Sequence, residues 1–237
     1  MTALELENIA LIDPVNFPLP LGLANKLRSI SSTIHSGRGF AVLRGLKLDD
    51  RPDEDCVIAF CGVSSYIGKD RCTNDNGVAM HHLRDAARDE KPAGREHIEL
   101  HPSKMMAPLQ DGRVLCQVVH RIFEGTNLLS PVQRKALDLL ETFANKNSIK
   151  LDVEVGDIQL VNNLALLHAR RAWVDRPGQE RHYYRLGLRD PGNYWKRPLK
   201  YEAVFDDHFH TAPEEQSIPV SDFDPYGLTS LAHHPHG

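Results

Sequence analysis

The chain has 237 residues, of which 41% are hydrophobic and 25% charged, and its formal net charge at pH 7 is −4. This is ordinary globular usage, and the length is sufficient for one domain to bury a full core. A weakly acidic chain without a basic stripe argues against nucleic acid as the main ligand. The first residues lack a signal-peptide pattern and no later run has membrane-spanning length. We therefore expect a cytoplasmic protein that has neither nucleic acid nor a membrane as its partner.

The first third of the chain predicts a helix, a strand and a second helix. Leucines and small residues recur at helical spacing over residues 21–34, and residues 37–43 are typical of a glycine turn that leads into a strand. Residues 53–62 predict the second helix, for which plain packing is a sufficient role. Residues 112–119 alternate well enough for another strand.

The clearest predicted helix begins after Ser130. Ser130 is a favourable N-cap, Pro131 suits the first helical position and Gln133 stands where a capping box requires it. One apolar face follows, and we expect it to pack on the outside of a sheet. Its members are Ala136, Leu137, Leu140, Phe143 and Ala144.

The last apolar segments predict a hairpin. Residues 151–155 alternate as a strand, Gly156 and Asp157 form a turn, and residues 158–167 predict a strand that enters a buried site and ends at His168. The polar residues 175–178 reverse the chain, and a return strand begins near Arg181. Such a hairpin would direct His168 and Arg181 into one cavity. Taken alone, however, Arg181 suits a surface ion pair and His168 a hydrogen-bonded core position.

Two segments have a specific rather than a compositional pattern. Residues 156–170 have the sequence G-D-I-Q-L-V-N-N-L-A-L-L-H-A-R, and residues 181–190 have the sequence R-H-Y-Y-R-L-G-L-R-D. Together with residues 39–45, 65–68, 82–85 and 111–115, they resemble the taurine dioxygenase (TauD/TfdA) family of Fe(II)/2-oxoglutarate oxygenases, most closely its fungal branch. The resemblance accounts for residues 36–198.

The resemblance implies a fold and a set of site residues. The fold is a double-stranded β-helix, mainly β with flanking helices. Iron would be held by a His-x-Asp/Glu pair and a distant histidine, which His168 matches, and the three open positions would take 2-oxoglutarate and dioxygen. Arg181 matches the arginine that grips the far carboxylate of 2-oxoglutarate, since a guanidinium donates two parallel hydrogen bonds. Arg185 matches a second arginine that meets an anionic substrate in some members.

The first metal-ligand pair of the family has no obvious counterpart in this chain. Where the family has this pair and further strands, the chain runs almost directly from residue 105 to residue 111, so we expect a shortened barrel. Only His97 has an acidic residue, Glu99, two positions later, and chance alone gives such a match. A strand would place His97 and Glu99 on one face, as chelation requires. The alternative is a solvated loop between two prolines.

The other histidines and the end of the chain predict surface features. We expect His81, His82 and the histidines after position 207 at the surface. Residues 1–200 would form the oxygenase domain, shortened near residues 105–111. Residues 201–237 would form a partly disordered extension, loosely ordered from residue 213 onward.

Three hypotheses about function remain open on these grounds. The first is an Fe(II)- and 2-oxoglutarate-dependent oxygenase that hydroxylates or desaturates a small molecule. The second is a catalytically inactive homologue that acts as a binding or regulatory module. The third is a truncated or mis-spliced product of a gene for an intact enzyme. A shortened barrel would leave strands uncovered, which predicts a homo-oligomer or pairing with an intact relative.

Overall fold

The computed structural model describes residues 8–48, 50–83, 106–108, 112–116, 129–169, 182–197 and 207–220. Three α-helices lie in these ranges: α1 (Leu21–Ser36), α2 (Asp53–Ser65) and α3 (Pro131–Lys146). They confirm the three predicted helices, with α2 three residues longer than expected. Three short 3-10 helices, Ile9–Leu11, Asp207–Phe209 and Pro213–Glu215, lie near the two ends of the described chain.

The strands are short and all their pairings are antiparallel. They are β1 (Phe40–Leu43), β2 (Asp70–Cys72), β3 (Met80–Leu83), β4 (Met106–Pro108), β5 (Val114–Cys116), β6 (Ile158–Val161) and β7 (Tyr183–Arg189). β1 pairs with β6, β4 pairs with β5, and β7 lies between β2 and β3. The mixture of helices with antiparallel strands confirms the coarse prediction. The described strands do not close a barrel, so the double-stranded β-helix stays a prediction.

Two apolar clusters hold these elements together. In the first, Leu27 and Ile34 of α1 pack against the β1–β6 pair through Ala41, Ile158 and Leu160. The second cluster joins the beginning and the end of the described chain to α2 and β3. Its buried members are Ala10, Ile12, Val57, Cys61, Ala79, Met80 and Ile218.

The segment that contains Ile218 was expected to be loosely ordered, and this prediction is wrong for residues 213–220. Ser217 forms a parallel bridge with Val78 and donates its backbone N–H to Gly77 O at 2.9 Å. The Asn8 side chain donates to Gln216 O at 3.1 Å. Apolar burial of Ile218 and these backbone hydrogen bonds together order the segment.

Helix α3 begins as the sequence predicts, but less of its apolar face is buried than expected. Ser130 and Gln133 form the reciprocal capping box. Of the residues in α3, only Leu137 is buried, whereas the Phe143 side chain is 67% exposed. The predicted packing of the whole apolar face is therefore wrong for Ala136 and Phe143, which are both exposed. None of the described helices has both the length and the apolar character needed to cross a bilayer.

Candidate active site

Strand β7 is the central strand of its sheet and has two chemically different faces. Tyr184 and Leu186 pack against the second apolar cluster. Because side chains alternate along a strand, the odd-numbered residues lie on the opposite face, which we call the polar face. These residues are Tyr183, Arg185, Gly187 and Arg189.

The neighbouring strands extend the polar face with His81 and Cys72. The strand register places His81 opposite Arg185 and Cys72 opposite Gly187, and directly opposite residues share a face of the sheet. His81 is 4% exposed and Cys72 is fully buried. A Cβ atom on Gly187 would lie 2.8 Å from the Cys72 Cβ, so a glycine is needed for this close approach.

At the far end of β7, Arg189 fixes the sheet to its surroundings. Its Nε donates to Asp70 Oδ2 at 3.0 Å. The guanidinium also lies 5.5 Å from the Tyr194 ring centroid and 4.6 Å from that of Phe209. Arg189 therefore has a structural role that its carboxylate and aromatic partners explain.

Arg185 is placed differently, at the middle of the polar face. It is half buried, and this burial lowers the pKa of its guanidinium. An arginine stays protonated despite such a shift, because its ordinary pKa is above 12. Burial likewise raises the pKa of the Cys72 thiol to about 12, so Cys72 adds no negative charge at neutral pH. The polar face thus carries a fixed, partly desolvated positive charge at Arg185.

His168 comes from a different element and reaches the same region. Residues 158–167 were predicted to form one strand, but the observed strand β6 ends at Val161. The Asn162 side chain accepts a hydrogen bond from Leu164 N at 3.0 Å, and Asn162 O accepts from Leu166 N at 3.1 Å. These bonds form a turn in which the Asn162 side chain accepts the hydrogen bond that a neighbouring strand would otherwise accept. β6 pairs with β1 and β7 pairs with β2 and β3, so the predicted hairpin of these strands is wrong.

The turn nevertheless brings His168 near Arg185. Loss of hydration, and next the positive charge of Arg185, lower the pKa of the His168 imidazole below its ordinary value. His168 is classed as exposed, yet the nearby protein removes part of the hydration that the imidazolium needs. A neutral imidazole is the form that binds metals.

The remaining predicted site residues stay untested. Arg181, His97 and Glu99 lie outside the described residues. Within the described ranges, no group of three or more histidine, cysteine, aspartate or glutamate side chains is arranged to hold a metal ion. The metal set of His168, His97 and Glu99 therefore remains a prediction.

The prediction of surface positions for His81 and His82 is wrong, since both side chains are buried. His82 Nε2 donates to Pro219 O at 2.9 Å, and its Nδ1 lies 2.8 Å from His182 Nε2. These hydrogen-bond partners give His82 a structural role. The side chain of His81, by contrast, lies on the same face of the sheet as Arg185. The apolar residues 78–80, which directly precede the pair, were the sequence signal for burial.

Comparisons with known proteins give two matches. The family model for "Taurine catabolism dioxygenase TauD, TfdA family" matches residues 65–186. The taurine hydroxylase-like protein SAT17 of Stachybotrys chartarum is 26% identical over 291 aligned positions, which cover 87% of this chain and 75% of that protein. The alignment has more positions than the chain has residues, so that protein has insertions relative to it.

Proposed function

Because the chain belongs to the taurine catabolism dioxygenase TauD, TfdA family, we propose that it is an Fe(II)- and 2-oxoglutarate-dependent oxygenase that hydroxylates or desaturates a small molecule. The proposal is supported by Arg185, which is half buried opposite His81 and whose charge, after loss of hydration, lowers the pKa of the His168 imidazole. These residues come from separate elements, and the charge of Arg185 acts on the imidazole. A metal ligand beside an anion-binding cation is the arrangement that this chemistry requires.

Each residue has a definite part in the proposed mechanism. His168, kept neutral by its lowered pKa, would bind the metal through a ring nitrogen. Arg181 would hold the far carboxylate of 2-oxoglutarate, and Arg185 would orient an anionic group of the substrate. Bound Fe(II), with 2-oxoglutarate and dioxygen, supplies the oxidising power. The protein side chains bind and orient the reactants.

The described residues fit part of the expected metal set. They provide one imidazole whose lowered pKa favours the neutral, metal-binding form, together with the half-buried guanidinium of Arg185. His97 and Glu99 would complete a set of two imidazoles and one carboxylate, which leaves open positions on Fe(II). The hypothesis therefore depends on the His97–Glu99 pair and can be tested there.

A second hypothesis is a catalytically inactive homologue that binds an anion without oxidising it. One observation favours it: the related Stachybotrys chartarum protein has insertions that this chain lacks. Such a binder would keep Arg185 and Arg181 but would not need Fe(II).

Anaerobic titration with Fe(II) and 2-oxoglutarate separates the two hypotheses. An oxygenase should show the weak visible charge-transfer band of a chelated 2-oxo acid, and His168→Ala should abolish that band. The matched control is His210→Ala, because His210 is an exposed histidine on the segment after residue 207. Thermal stabilisation by millimolar 2-oxoglutarate without any band would support the binder. If the wild type shows no band and no stabilisation, both hypotheses are excluded.

The same titration tests the remaining ligands. His97→Ala and Glu99→Ala should each abolish the band if this pair completes the metal site. Arg181→Lys should weaken 2-oxoglutarate binding by roughly 1–3 kcal/mol, because a lysine keeps the charge but loses the paired donors. Arg185→Lys should mostly spare cosubstrate binding. Equal effects of the two substitutions would contradict the assigned roles.

A further inference from the structure

Two histidines lie side by side at one end of the sheet that β7 forms with β3. His82 Nδ1 lies 2.8 Å from His182 Nε2, and the two ring centroids are 5.0 Å apart. His82 lies opposite Tyr184 in the strand register. His182 precedes Tyr184 by two residues, so it is the diagonal neighbour of His82 on the same face of the sheet. We call His82 and His182 the histidine pair.

The histidine pair lies on the opposite face of the sheet from Arg185. Tyr184 packs against the second apolar cluster, and side chains alternate along a strand. The face of Tyr184 therefore carries the pair, whereas the polar face carries Arg185. The pair is thus separate from the candidate active site.

The hydrogen-bond partner of His82 determines which of its ring nitrogens carries a hydrogen. A carbonyl oxygen only accepts, so His82 Nε2, at 2.9 Å from Pro219 O, is the donor. In the neutral ring Nδ1 then keeps its lone pair, and Nδ1 is the atom beside His182. A metal-binding histidine usually donates its second N–H to a carbonyl in this way, which fixes the tautomer and orientation of the ring.

The separation of the two nitrogens suits neighbouring positions on one metal ion. Two ligands about 2.0 Å from a metal and at right angles lie about 2.8 Å apart, whereas tetrahedral ligands lie about 3.3 Å apart. The observed separation is 2.8 Å. Cu²⁺ and Ni²⁺ favour tetragonal geometry with imidazole ligands. The distance therefore matches these ions better than tetrahedral Zn²⁺.

The protein holds the histidine pair in place and leaves it accessible from one side. His82 is 6% exposed, whereas His182 is exposed, so an ion from solvent reaches the two nitrogens from the side of His182. The Tyr184 ring stands edge-on to both imidazoles, at centroid distances of 5.2 Å and 5.1 Å. Because both ligands are close together before an ion arrives, less conformational entropy is lost on binding.

We propose that the histidine pair binds a divalent ion of tetragonal geometry, Ni²⁺ or Cu²⁺, with His82 Nδ1 and His182 Nε2 as neighbouring ligands and water in the other positions. The ion replaces the hydrogen that His182 Nε2 donates to His82. That hydrogen leaves as a proton while His182 Nδ1 takes one up, so both rings stay neutral. The ion joins β3, the start of β7 and, through the hydrogen bond of His82, the segment that contains Pro219.

Titration calorimetry of the full chain with Ni²⁺ tests the proposal. The chain has 13 histidines, so the starting protein is a full-length background variant without the other candidate metal-binding histidines. In this variant alanine replaces His97, His168, His233, His234 and His236. The background variant should bind one Ni²⁺ per chain, and adding His182→Gln should weaken binding at least tenfold. The matched control is His210→Gln at another exposed histidine, which should leave binding unchanged.

Electron paramagnetic resonance with Cu²⁺ tests the ligands directly. The spectrum of the background variant should show coupling to two imidazole nitrogens, and adding His182→Gln should leave one. Because His182 is exposed, this substitution should keep the circular dichroism spectrum. His82→Gln should also leave one nitrogen. Since His82 is buried, its result is interpreted only if circular dichroism shows a folded protein.

Three results would overturn the proposal. A background variant that binds no Ni²⁺ at millimolar concentration would show that the histidine pair is a structural hydrogen bond only. Binding that His182→Gln leaves unchanged would show an adventitious ion held by other side chains. Tighter binding of Zn²⁺ than of Ni²⁺ would contradict the tetragonal geometry. The background variant lacks the proposed iron ligands His97 and His168, so this proposal and the proposed oxygenase function can fail separately.

Discussion

The guanidinium of Arg44 holds the carboxylate of Asp157 through two hydrogen bonds, from Nε to Oδ1 at 3.1 Å and from Nη2 to Oδ2 at 2.8 Å. Nη2 also donates to Asp152 O at 2.6 Å, and Nη1 lies 2.9 Å from Glu154 Oε1. These contacts of Arg44 connect the end of β1 to the start of β6. They thereby hold in place the strand that precedes the segment containing His168.

Arg44→Met should lower the urea midpoint of unfolding at pH 7. The hydrogen bond from Arg44, and next the backbone N–H of Glu154, lower the pKa of Asp157 below 3.8. A carboxyl group with a lowered folded-state pKa stabilises the fold above its unfolded pKa, and this stabilisation is lost as the pH falls through the folded pKa. The difference between wild type and variant should therefore shrink below pH 3.8. Arg51→Met, which removes an exposed ion pair with Asp55, should change little at either pH.

Gly156→Ala should destabilise the protein more than Gly45→Ala. Both glycines have positive φ, +82° and +104°, so an alanine is strained at either position by about 1–2 kcal/mol. At Gly156 the new Cβ would also collide with Leu46 O, whereas at Gly45 it meets nothing within 4 Å. Urea unfolding of the two variants measures the difference. Equal losses would mean that backbone strain alone determines the cost.

Ser130→Ala should cost about 1 kcal/mol of stability, because it removes the N-cap of α3. In the wild type Gln133 N donates to Ser130 Oγ, and Ser130 N donates to Gln133 Oε1 at 2.9 Å. Amide hydrogen exchange in the first turn of α3 should accelerate as well. Ser148→Ala, at an exposed serine beyond the other end of the helix, should leave that exchange unchanged.

Arg71→Met should be strongly destabilising. Arg71 is 6% exposed and donates to Ala10 O and Ile12 O, each at 2.6 Å. The substitution leaves two carbonyls near the core without these donors, at roughly 1–3 kcal/mol each. Arg71→Lys should recover part of the loss, since an ammonium can still donate to one of them. A loss no larger for Arg71→Met than for Arg71→Lys would show that the paired donation contributes little.

Local patterns in the sequence predicted the helices well and the strand partners poorly. Ser130, Pro131 and Gln133 determine the start of α3 through contacts within four residues, so the prediction succeeded. The partner of β6 is β1, far away in the sequence, and no local pattern specifies it. The turn at Asn162 was missed because an apolar run continues on both sides of it. The position of His81 was missed because its neighbour in the sheet, Arg185, lies far away in the sequence and no local pattern specifies that pairing.

The contact between Asn8 and Gln216 has a consequence for synthesis of the protein on the ribosome. Ala10 and Ile12 are synthesised long before Ile218, which completes their apolar cluster. Until Ile218 has been synthesised, the apolar surface of Ala10 and Ile12 lacks this partner, because domains form as the chain emerges and distant contacts form last. The nascent chain is therefore a better substrate for chaperones than the finished protein, and slow translation should increase its aggregation.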